Sequence, residues 1–205
     1  QWILVTSLKP LVIFGFSECY LRLSSTEYTV DDDSLQNKFI HLCNHAIQKM
    51  NLEASTTKDA DIVCDTMMSQ EEFNEFLHRY NNTNAFGEFH SFQETILPQI
   101  KHISIQAVAS VRDKLQSSKK SFEWLGLDLM VTEDLQVKLI EVNVSPDISH
   151  STPITSRLVT AGVEDLLNML LSEYDDANAS NYYYARTGEP SCHQLRWECW
   201  FAEGR

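Results

Sequence analysis

The sequence predicts an α+β fold in which an antiparallel or mixed β-sheet packs against helices. Three observations lead to this class. Residues 2–6 and 11–16 are β-rich, and two further strand-like runs lie at 122–131 and 136–147. Residues 93–116 carry apolar side chains at helical spacing. With 205 residues, 43% of them hydrophobic and 10% aromatic, the chain can bury a substantial core.

The first part of the chain is expected to hold strands and turns before a short helix. Lys9-Pro10 separates the first two β-rich segments, and residues 19–23 continue as a strand that carries Arg22. Residues 31–34, Asp-Asp-Asp-Ser, predict a polar turn. A short helix is expected at 42–49.

The middle and the end of the chain predict three more helices. Residues 51–68 have no period and are expected to form a loop. Ser69 and Glu72 have the spacing of a capping box, and the helix after them carries apolar residues at Phe73, Phe76, Leu77 and Tyr80. The helix at 93–116 has a predicted buried stripe of Ile96, Ile100, Ile103, Ala107, Val111 and Leu115. A last amphipathic helix is expected at 155–172.

Beyond Ser172 the periodic pattern stops. We therefore expect one folded lobe over residues 1–171 and an unassigned, flexible tail over residues 172–205. The chain begins with Gln1 rather than Met, in a segment typical of the middle of a strand, so we expect it to be part of a longer protein.

Composition argues against several classes of protein. The net charge of −13 disfavours a nucleic-acid surface, because phosphate binding needs clustered Lys and Arg. No run of 18 apolar residues occurs, so no membrane span is predicted, and no membrane is expected among the partners. Five cysteines without a C-x-x-C pair fit reduced thiols better than a disulfide scaffold or a zinc site.

The two runs at 122–131 and 136–147 predict a hairpin with a defined register. If residues 133–136 form the connecting loop, Thr132 pairs with Val137. Counting back along both strands then sets Asp128 opposite Glu141, with their Cβ atoms about 5 Å apart. Two carboxylates at this distance repel each other unless a cation lies between them.

The same register brings a third oxygen ligand to this face. Gly126 lies opposite Asn143, and Asn143 points to the same side as Glu141 because strand side chains alternate. Carboxylate and amide oxygens suit Mg²⁺, so Asp128, Glu141 and Asn143 are candidate metal ligands. An ordinary amphipathic hairpin with its polar face in water shows the same alternation, and register alone leaves both open. The opposite face is apolar, with Leu125, Leu127, Leu129, Val131, Ile140, Val142 and Val144.

Four motifs occur in an order that resembles one enzyme family. Residues 1–25 carry the first and residues 151–158, STPITSRL, the last. The second is HLCNHAIQK, with His41, Leu42, Asn44 and Gln48. The third reads F-E-x-x-G-x-D and then E-x-N-x-S-P, at Phe122, Glu123, Gly126, Asp128, Glu141, Asn143, Ser145 and Pro146. Together they resemble the C-terminal part of the tubulin tyrosine ligase-like enzymes, a branch of the ATP-grasp ligases, and their wording is closest to the glycine-adding branch.

The resemblance implies a fold and a chemistry. It implies that the sheet and helices form an ATP-grasp C-terminal lobe and that the parent enzyme uses ATP and Mg²⁺ to join a carboxylate to an amine through an acyl phosphate. Asp128, Glu141 and Asn143 would hold the metal, and Asn44 would assist at the phosphates. Arg22 would be catalytic, reaching the γ-phosphate or the acyl-phosphate oxygens. Without the resemblance, strand alternation would simply place Arg22 in water.

The resemblance also implies partners. The expected acceptor is tubulin, at the acidic C-terminal tails on microtubules, with a free amino acid as the second substrate. The expected place is the cytoplasm and cytoskeleton, including the axoneme of a cilium or flagellum. A net charge of −13 disfavours binding of acidic tails by this segment. The segment would therefore contribute only catalytic residues, or the basic surface would lie in another part of the protein. The segment alone is expected to be inactive.

The amino acid that is added is expected to be glycine. Side chains from residues 147–157, such as Ile148, His150 or Ile154, would then crowd the amine site, and no spare basic residue would pair with a glutamate side chain. Arg157 pointing into the metal-bearing cleft would favour glutamate instead. Addition of glutamate or tyrosine, an ATP-grasp ligase for small peptides, and a catalytically incomplete microtubule-binding protein remain alternatives.

Overall fold

The computed structural model of the protein describes residues 1–32, 34–54, 66–83, 91–115, 121–172 and 196–204. These residues form two compact units, one built from residues 1–19 and 91–205 and the other from residues 20–90. The strands and α-helices are β1 Trp2–Leu8, β2 Leu11–Phe16, β3 Tyr20–Arg22, α1 Lys38–His41, α2 His45–Ala54, β4 Met67–Ser69, α3 Gln70–Thr83, α4 Leu97–Val111, β5 Glu123–Val131, β6 Val137–Asn143, α5 Pro153–Ser172 and β7 Trp197–Ala202. None of the described helices combines the length and hydropathy needed to cross a membrane.

The first unit is built on a five-stranded antiparallel sheet in the order β6-β5-β1-β2-β7. The predicted α+β class is therefore confirmed. The first two predicted strands are confirmed as β1 and β2, which pair on either side of Lys9-Pro10. The predicted last helix is confirmed as α5, which begins two residues earlier, at Pro153.

One face of this sheet packs an aliphatic core against α4. Val108 of α4 lies in a buried cluster with alternate residues of three strands of the sheet, β1, β2 and β5. The members from the strands are Ile3, Val5, Leu11, Ile13 and Leu127, and each is at most 5% exposed. Burial of this apolar surface is the main contribution to the stability of the unit.

The opposite face of the sheet carries an aromatic cluster beneath α5. Trp124 packs edge-on against both Trp2 and Trp197, with ring centroids 5.4 and 5.2 Å apart. Gly162 of α5 allows the helix to approach, because a Cβ there would lie 3.1 Å from the Trp124 ring. Trp197 Nε1 donates a hydrogen bond to the Gly162 carbonyl at 3.0 Å. Trp124, Gly126 and Asp128 alternate along β5, so the candidate metal face is the face that α5 covers in part.

The buried stripe of the long helix differs from the predicted one. Val111 and Leu115 are 40% and 47% exposed, whereas Ser104 and Val108 are buried. The chain enters this helix through a π-helical turn at Phe92–Ile96. From the first residue of this turn onwards the buried positions recur every four residues, at Phe92, Ile96, Ile100, Ser104 and Val108. Ser104 is accommodated because its hydroxyl donates to the Ile100 carbonyl at 2.7 Å.

The expectation of a flexible tail is corrected for the last described residues. Residues 197–202 form β7, which pairs with the outer edge of β2. Trp200 packs over Gly15, where a Cβ would lie 1.9 Å from its ring, so Gly15 leaves the space that this indole occupies. The rest of the predicted tail, residues 173–195, lies outside the described residues. A single six-residue strand after a long aperiodic segment carries little sequence signal, which explains the omission.

Among its described residues, the second unit has a short two-stranded sheet and three α-helices, α1, α2 and α3. β3 pairs antiparallel with β4, and this confirms the predicted strand that carries Arg22. The predicted helix at 42–49 is confirmed in part as α2, which begins at His45, and the short helix α1 precedes it, with residues 42–44 between the two. The helices divide there because Asn44 starts a new one, its carbonyl accepting hydrogen bonds from the backbone N–H groups of Ile47 and Gln48.

The predicted capping box is confirmed at the start of α3. The backbone N–H of Ser69 donates to the Glu72 carboxylate at 2.7 Å, and the backbone N–H of Glu72 donates to the Ser69 hydroxyl at 3.2 Å. Of the apolar residues at helical spacing, Phe73 and Leu77 are buried, whereas Phe76 is 45% exposed. Of the predicted loop at 51–68, the ends belong to α2 and β4, and residues 55–65 lie outside the described part of the chain.

Candidate functional site

The candidate metal ligands lie on the hairpin of β5 and β6. Asp128 is paired with Glu141 and Gly126 with Asn143, and both pairs were predicted. Asn143 Nδ2 donates a hydrogen bond to Glu141 Oε1 at 3.2 Å, so these two side chains lie on the same face of β6. Glu141 is exposed, and Asp128 and Asn143 are half-buried. The structure thus brings two carboxylates and one amide together on one accessible surface.

The other end of the hairpin differs from the predicted register. Val137 pairs with Val131 rather than with Thr132, and the backbone N–H of Thr132 donates to the Gln136 carbonyl at 2.9 Å across the turn. The turn therefore holds one residue more than predicted. A β-bulge at Ile140 adds one residue to β6 and restores the predicted pairing. The candidate ligands keep their predicted partners because the two irregularities compensate for each other.

The apolar face of the hairpin is confirmed only in part. Leu127 of β5 is 1% exposed and packs in the core beneath α4. Ile140 and Val144 are 60% and 75% exposed. The difference arises because β6 is the edge strand of the sheet and its bulge lies at Ile140.

The donor chemistry of this surface fits a hard cation. Among the described residues no group of three His, Cys, Asp or Glu side chains is placed to hold a metal ion. The candidate set has two carboxylates, Asp128 and Glu141, and takes its third oxygen from the amide of Asn143. Mg²⁺ needs only one or two protein carboxylates, because phosphates and water complete its shell. The metal assignment stays a prediction that agrees with the pairing.

Arg22 lies at the end of β3 in the second unit and is half-buried. Its Nη2 donates a hydrogen bond to the Tyr20 hydroxyl at 3.2 Å, and its guanidinium lies 5.6 Å from the centre of that ring. Burial raises the pKa of the Cys43 thiol, and the positive charge of Arg22 partly opposes this rise. Arg22 is therefore close to the segment that carries Asn44, which is exposed at the start of α2.

Gln48 orders this segment, a structural role that was not predicted from the sequence. The side chain is completely buried. Its Nε2 donates to the carbonyls of Phe39 and Leu42 at 2.9 and 2.7 Å, and its Oε1 accepts from the backbone N–H of Ser25 at 2.9 Å. The conformation of the residues around Asn44 therefore depends on one amide. The motif HLCNHAIQK contained this residue, but a buried glutamine has no pattern of its own.

Arg157 of α5 forms a bidentate ion pair with Glu18. Nη1 donates to Oε1 at 3.1 Å and Nη2 to Oε2 at 2.9 Å. This parallel geometry is the stronger form of an arginine–carboxylate pair. The positive charge of Arg157 is thus matched by a carboxylate of the protein itself.

Comparison with known proteins agrees with these motifs. The model of the tubulin-tyrosine ligase family matches residues 1–178. The chain is 37% identical over 171 residues to Tubulin glycylase 3B of Tetrahymena thermophila and 34% identical over 178 residues to Tubulin monoglycylase TTLL3 of Homo sapiens. It is 28% identical over 179 residues to Tubulin glycylase 3A of Drosophila melanogaster.

These matches cover most of this chain and a small part of each relative. They include 83%, 87% and 87% of this chain but 13%, 22% and 17% of the three relatives, in the same order. All of the candidate site residues lie within the span of the family model, and β7 lies beyond it. The chain belongs to the tubulin-tyrosine ligase family.

Proposed function

We propose that the full-length protein is an ATP- and Mg²⁺-dependent ligase that adds glycine to glutamate side chains of tubulin. The observation that carries the proposal is the pairing of Asp128 with Glu141, with Asn143 on the same face as Glu141, in a chain of this family. Such an oxygen-only set suits the cation that accompanies ATP. The ATP-grasp lobe that the motifs imply is part of the same proposal.

The reaction needs activation of the acceptor. A carboxylate does not react with an amine at neutral pH, because its oxygen is a very poor leaving group. In the proposed first step a carboxylate oxygen of the tubulin glutamate bonds to the γ-phosphorus of ATP, and the bond from that phosphorus to ADP breaks. In the second step the amine nitrogen of glycine bonds to the acyl carbon, phosphate leaves with its electron pair, and the nitrogen loses a proton.

The residues of this chain position and neutralise the phosphates. Asp128, Glu141 and Asn143 would hold Mg²⁺, which when bound neutralises charge on the β- and γ-phosphates. Arg22 would contact the γ-phosphate or the acyl-phosphate oxygens as a fixed positive charge. Asn44 would assist at the same phosphates. Phosphoryl transfer depends mainly on such positioning and charge neutralisation.

Two observations support glycine as the added amino acid. The relatives named above carry the words glycylase or monoglycylase in their names. Arg157 is paired with Glu18, so its charge is already matched. A glutamate substrate would need a cation for its side-chain carboxylate, whereas glycine needs none.

The proposed partners are the acidic C-terminal tails of tubulin, with action on the cytoskeleton and in cilia. The net charge of −13 on this chain argues that basic contacts to those tails lie in other parts of the full-length protein. Residues 1–205 alone are expected to be inactive.

The test is incorporation of labelled amino acids into microtubules by the full-length protein with ATP and Mg²⁺. We expect label from glycine on tubulin glutamate side chains and none without ATP. Label from glutamate or tyrosine alone would overturn the choice of glycine. No incorporation from any of the three, with intact binding to microtubules, would show a catalytically incomplete family member instead.

A further inference from the structure

The segment after β6 folds back onto β5 at one small residue. Gly126 is buried on the candidate metal face, opposite Asn143. A Cβ placed on Gly126 would lie 2.9 Å from Pro146 Cβ and 3.8 Å from Asn143 Cβ. Carbon atoms do not approach to 2.9 Å without displacement, and the pyrrolidine ring of Pro146 cannot rotate away. The absence of a side chain at Gly126 is therefore what allows Pro146 to lie on β5.

The position of Asn143 explains why this contact matters. Asn143 is the last residue of β6, and its pair with Gly126 is the last pair of the hairpin. β6 is also the edge strand of the sheet, so strand pairing supports Asn143 from one side. Ends of edge strands open most easily, because few contacts oppose their movement.

The two residues between Asn143 and Pro146 contribute little support. Val144 is 75% exposed and Ser145 is exposed. Pro146 is half-buried against Gly126. The chain is therefore anchored at the strand pair and again three residues later, on the same glycine. Asn143 lies between these two anchors, with its amide hydrogen-bonded to Glu141.

We propose that the contact of Pro146 with Gly126 positions the Asn143 amide beside Glu141 for cation binding. This inference rests on the proposed function, because it assumes that the amide is a metal ligand. Gly126 and Pro146 would then be positioning residues, which act through Asn143. An added methyl group at residue 126 would push Pro146 outwards and move Asn143 with it.

The experiment measures Mn²⁺ binding to the full-length protein by electron paramagnetic resonance, with a non-hydrolysable ATP analogue present. Gly126→Ala is expected to weaken Mn²⁺ binding by about 10- to 100-fold, the usual effect of disturbing the support of a metal ligand. Pro146→Gly removes the other partner of the contact while Gly126 stays in place. It is also expected to weaken Mn²⁺ binding, by about tenfold, because Asn143 loses the same support.

A matched control separates positioning from general damage to the fold. Gly162→Ala adds the same methyl group beneath α5, against the Trp124 ring at 3.1 Å. We expect it to leave Mn²⁺ affinity within about twofold of wild type, because the added methyl group meets Trp124 and Phe16 rather than Pro146 or a candidate ligand. Melting temperatures of all variants show whether each is folded.

Different outcomes overturn different claims. Wild-type Mn²⁺ affinity in Gly126→Ala would overturn the positioning role and leave the proposed function standing. Wild-type Mn²⁺ affinity in folded Pro146→Gly would also overturn it, since the contact could then be lost without moving Asn143. A wild-type protein that binds no Mn²⁺ with the nucleotide analogue would overturn both the positioning role and the proposed metal site.

Discussion

Asp128 and Glu141 face each other across the last regular stretch of the β5–β6 hairpin, between the β-bulge at Ile140 and the end of the strand at Asn143. The two carboxylates come from different strands, so their separation is fixed by the sheet rather than by a flexible loop. Such a position is suited to a metal site, because ligands on regular elements are held more accurately than ligands on loops.

The first prediction concerns β7, the strand beyond the span of the family model. Trp197 is 4% exposed and hydrogen-bonds to Gly162. Trp197→Ala is expected to lower the free energy of opening β2 and α5 by about 3–5 kcal/mol, because it leaves a cavity beneath the helix. Hydrogen–deuterium exchange of the full-length protein measures this change in β2 and α5.

The control for this prediction lies two residues further along the same strand. Cys199 is exposed, so Cys199→Ala is expected to change the exchange of β2 by less than about 0.5 kcal/mol. Equal protection of β2 in Trp197→Ala and Cys199→Ala would show that β7 is not part of the folded sheet.

The second prediction concerns Gln48, whose buried amide orders the residues around Asn44. Gln48→Ala leaves the carbonyls of Phe39 and Leu42 without this donor and is expected to cost about 2–3 kcal/mol of local stability. Exchange of the amides of α1 and α2 reports the change. Met50→Ala is the control, because Met50 lies on α2 and is 53% exposed. Loss of protection of the same size in both variants would refute a special role for Gln48.

The third prediction concerns the reactivity of the Cys19 thiol. Burial is the main cause that raises the pKa of Cys19 from 9.0 to about 11. The thiol is therefore protonated in the folded protein at pH 8, and only the thiolate is alkylated rapidly. Because the folded-state pKa is raised, the stability that this group contributes is complete below pH 9 and is lost as the pH rises towards 11.

Alkylation with iodoacetamide followed by peptide mapping checks this. At pH 8 the exposed Cys199 should be labelled within minutes and Cys19 only after denaturation. Labelling of Cys19 as fast as Cys199 in the folded protein would show that its surroundings are open to solvent.

The hairpin shows how much of the site the sequence could predict. Alternation of polar and apolar residues fixes which side chains share a face. The pairs Asp128–Glu141 and Gly126–Asn143 were predicted from a connecting loop at 133–136, and they are observed because the bulge at Ile140 offsets a turn one residue longer than that loop. The bulge at Ile140 could not be predicted, because no residue type requires a bulge there. The longer turn that it offsets has no sequence signature either.

Other features depend on contacts distant in sequence. The buried face of α4 differs from the predicted one because the helix is entered through a π-helical turn at Phe92–Ile96. No particular amino-acid composition marks such a turn in the sequence. β7 depends on the packing of Trp200 over Gly15, which lies nearly two hundred residues earlier in the chain. The support of Asn143 by Pro146 likewise depends on a missing side chain on the neighbouring strand.

The central claim, that the β5–β6 hairpin carries the metal ligands of a ligase, is tested most directly by one substitution. Glu141→Gln keeps the shape of the side chain and removes its charge, so we expect amino-acid addition to tubulin by the full-length protein to fall below detection, with the fold intact. Glu133→Gln, an exposed position in the turn of the same hairpin, is the matched control and should retain wild-type turnover. Wild-type turnover in folded Glu141→Gln would contradict the claim.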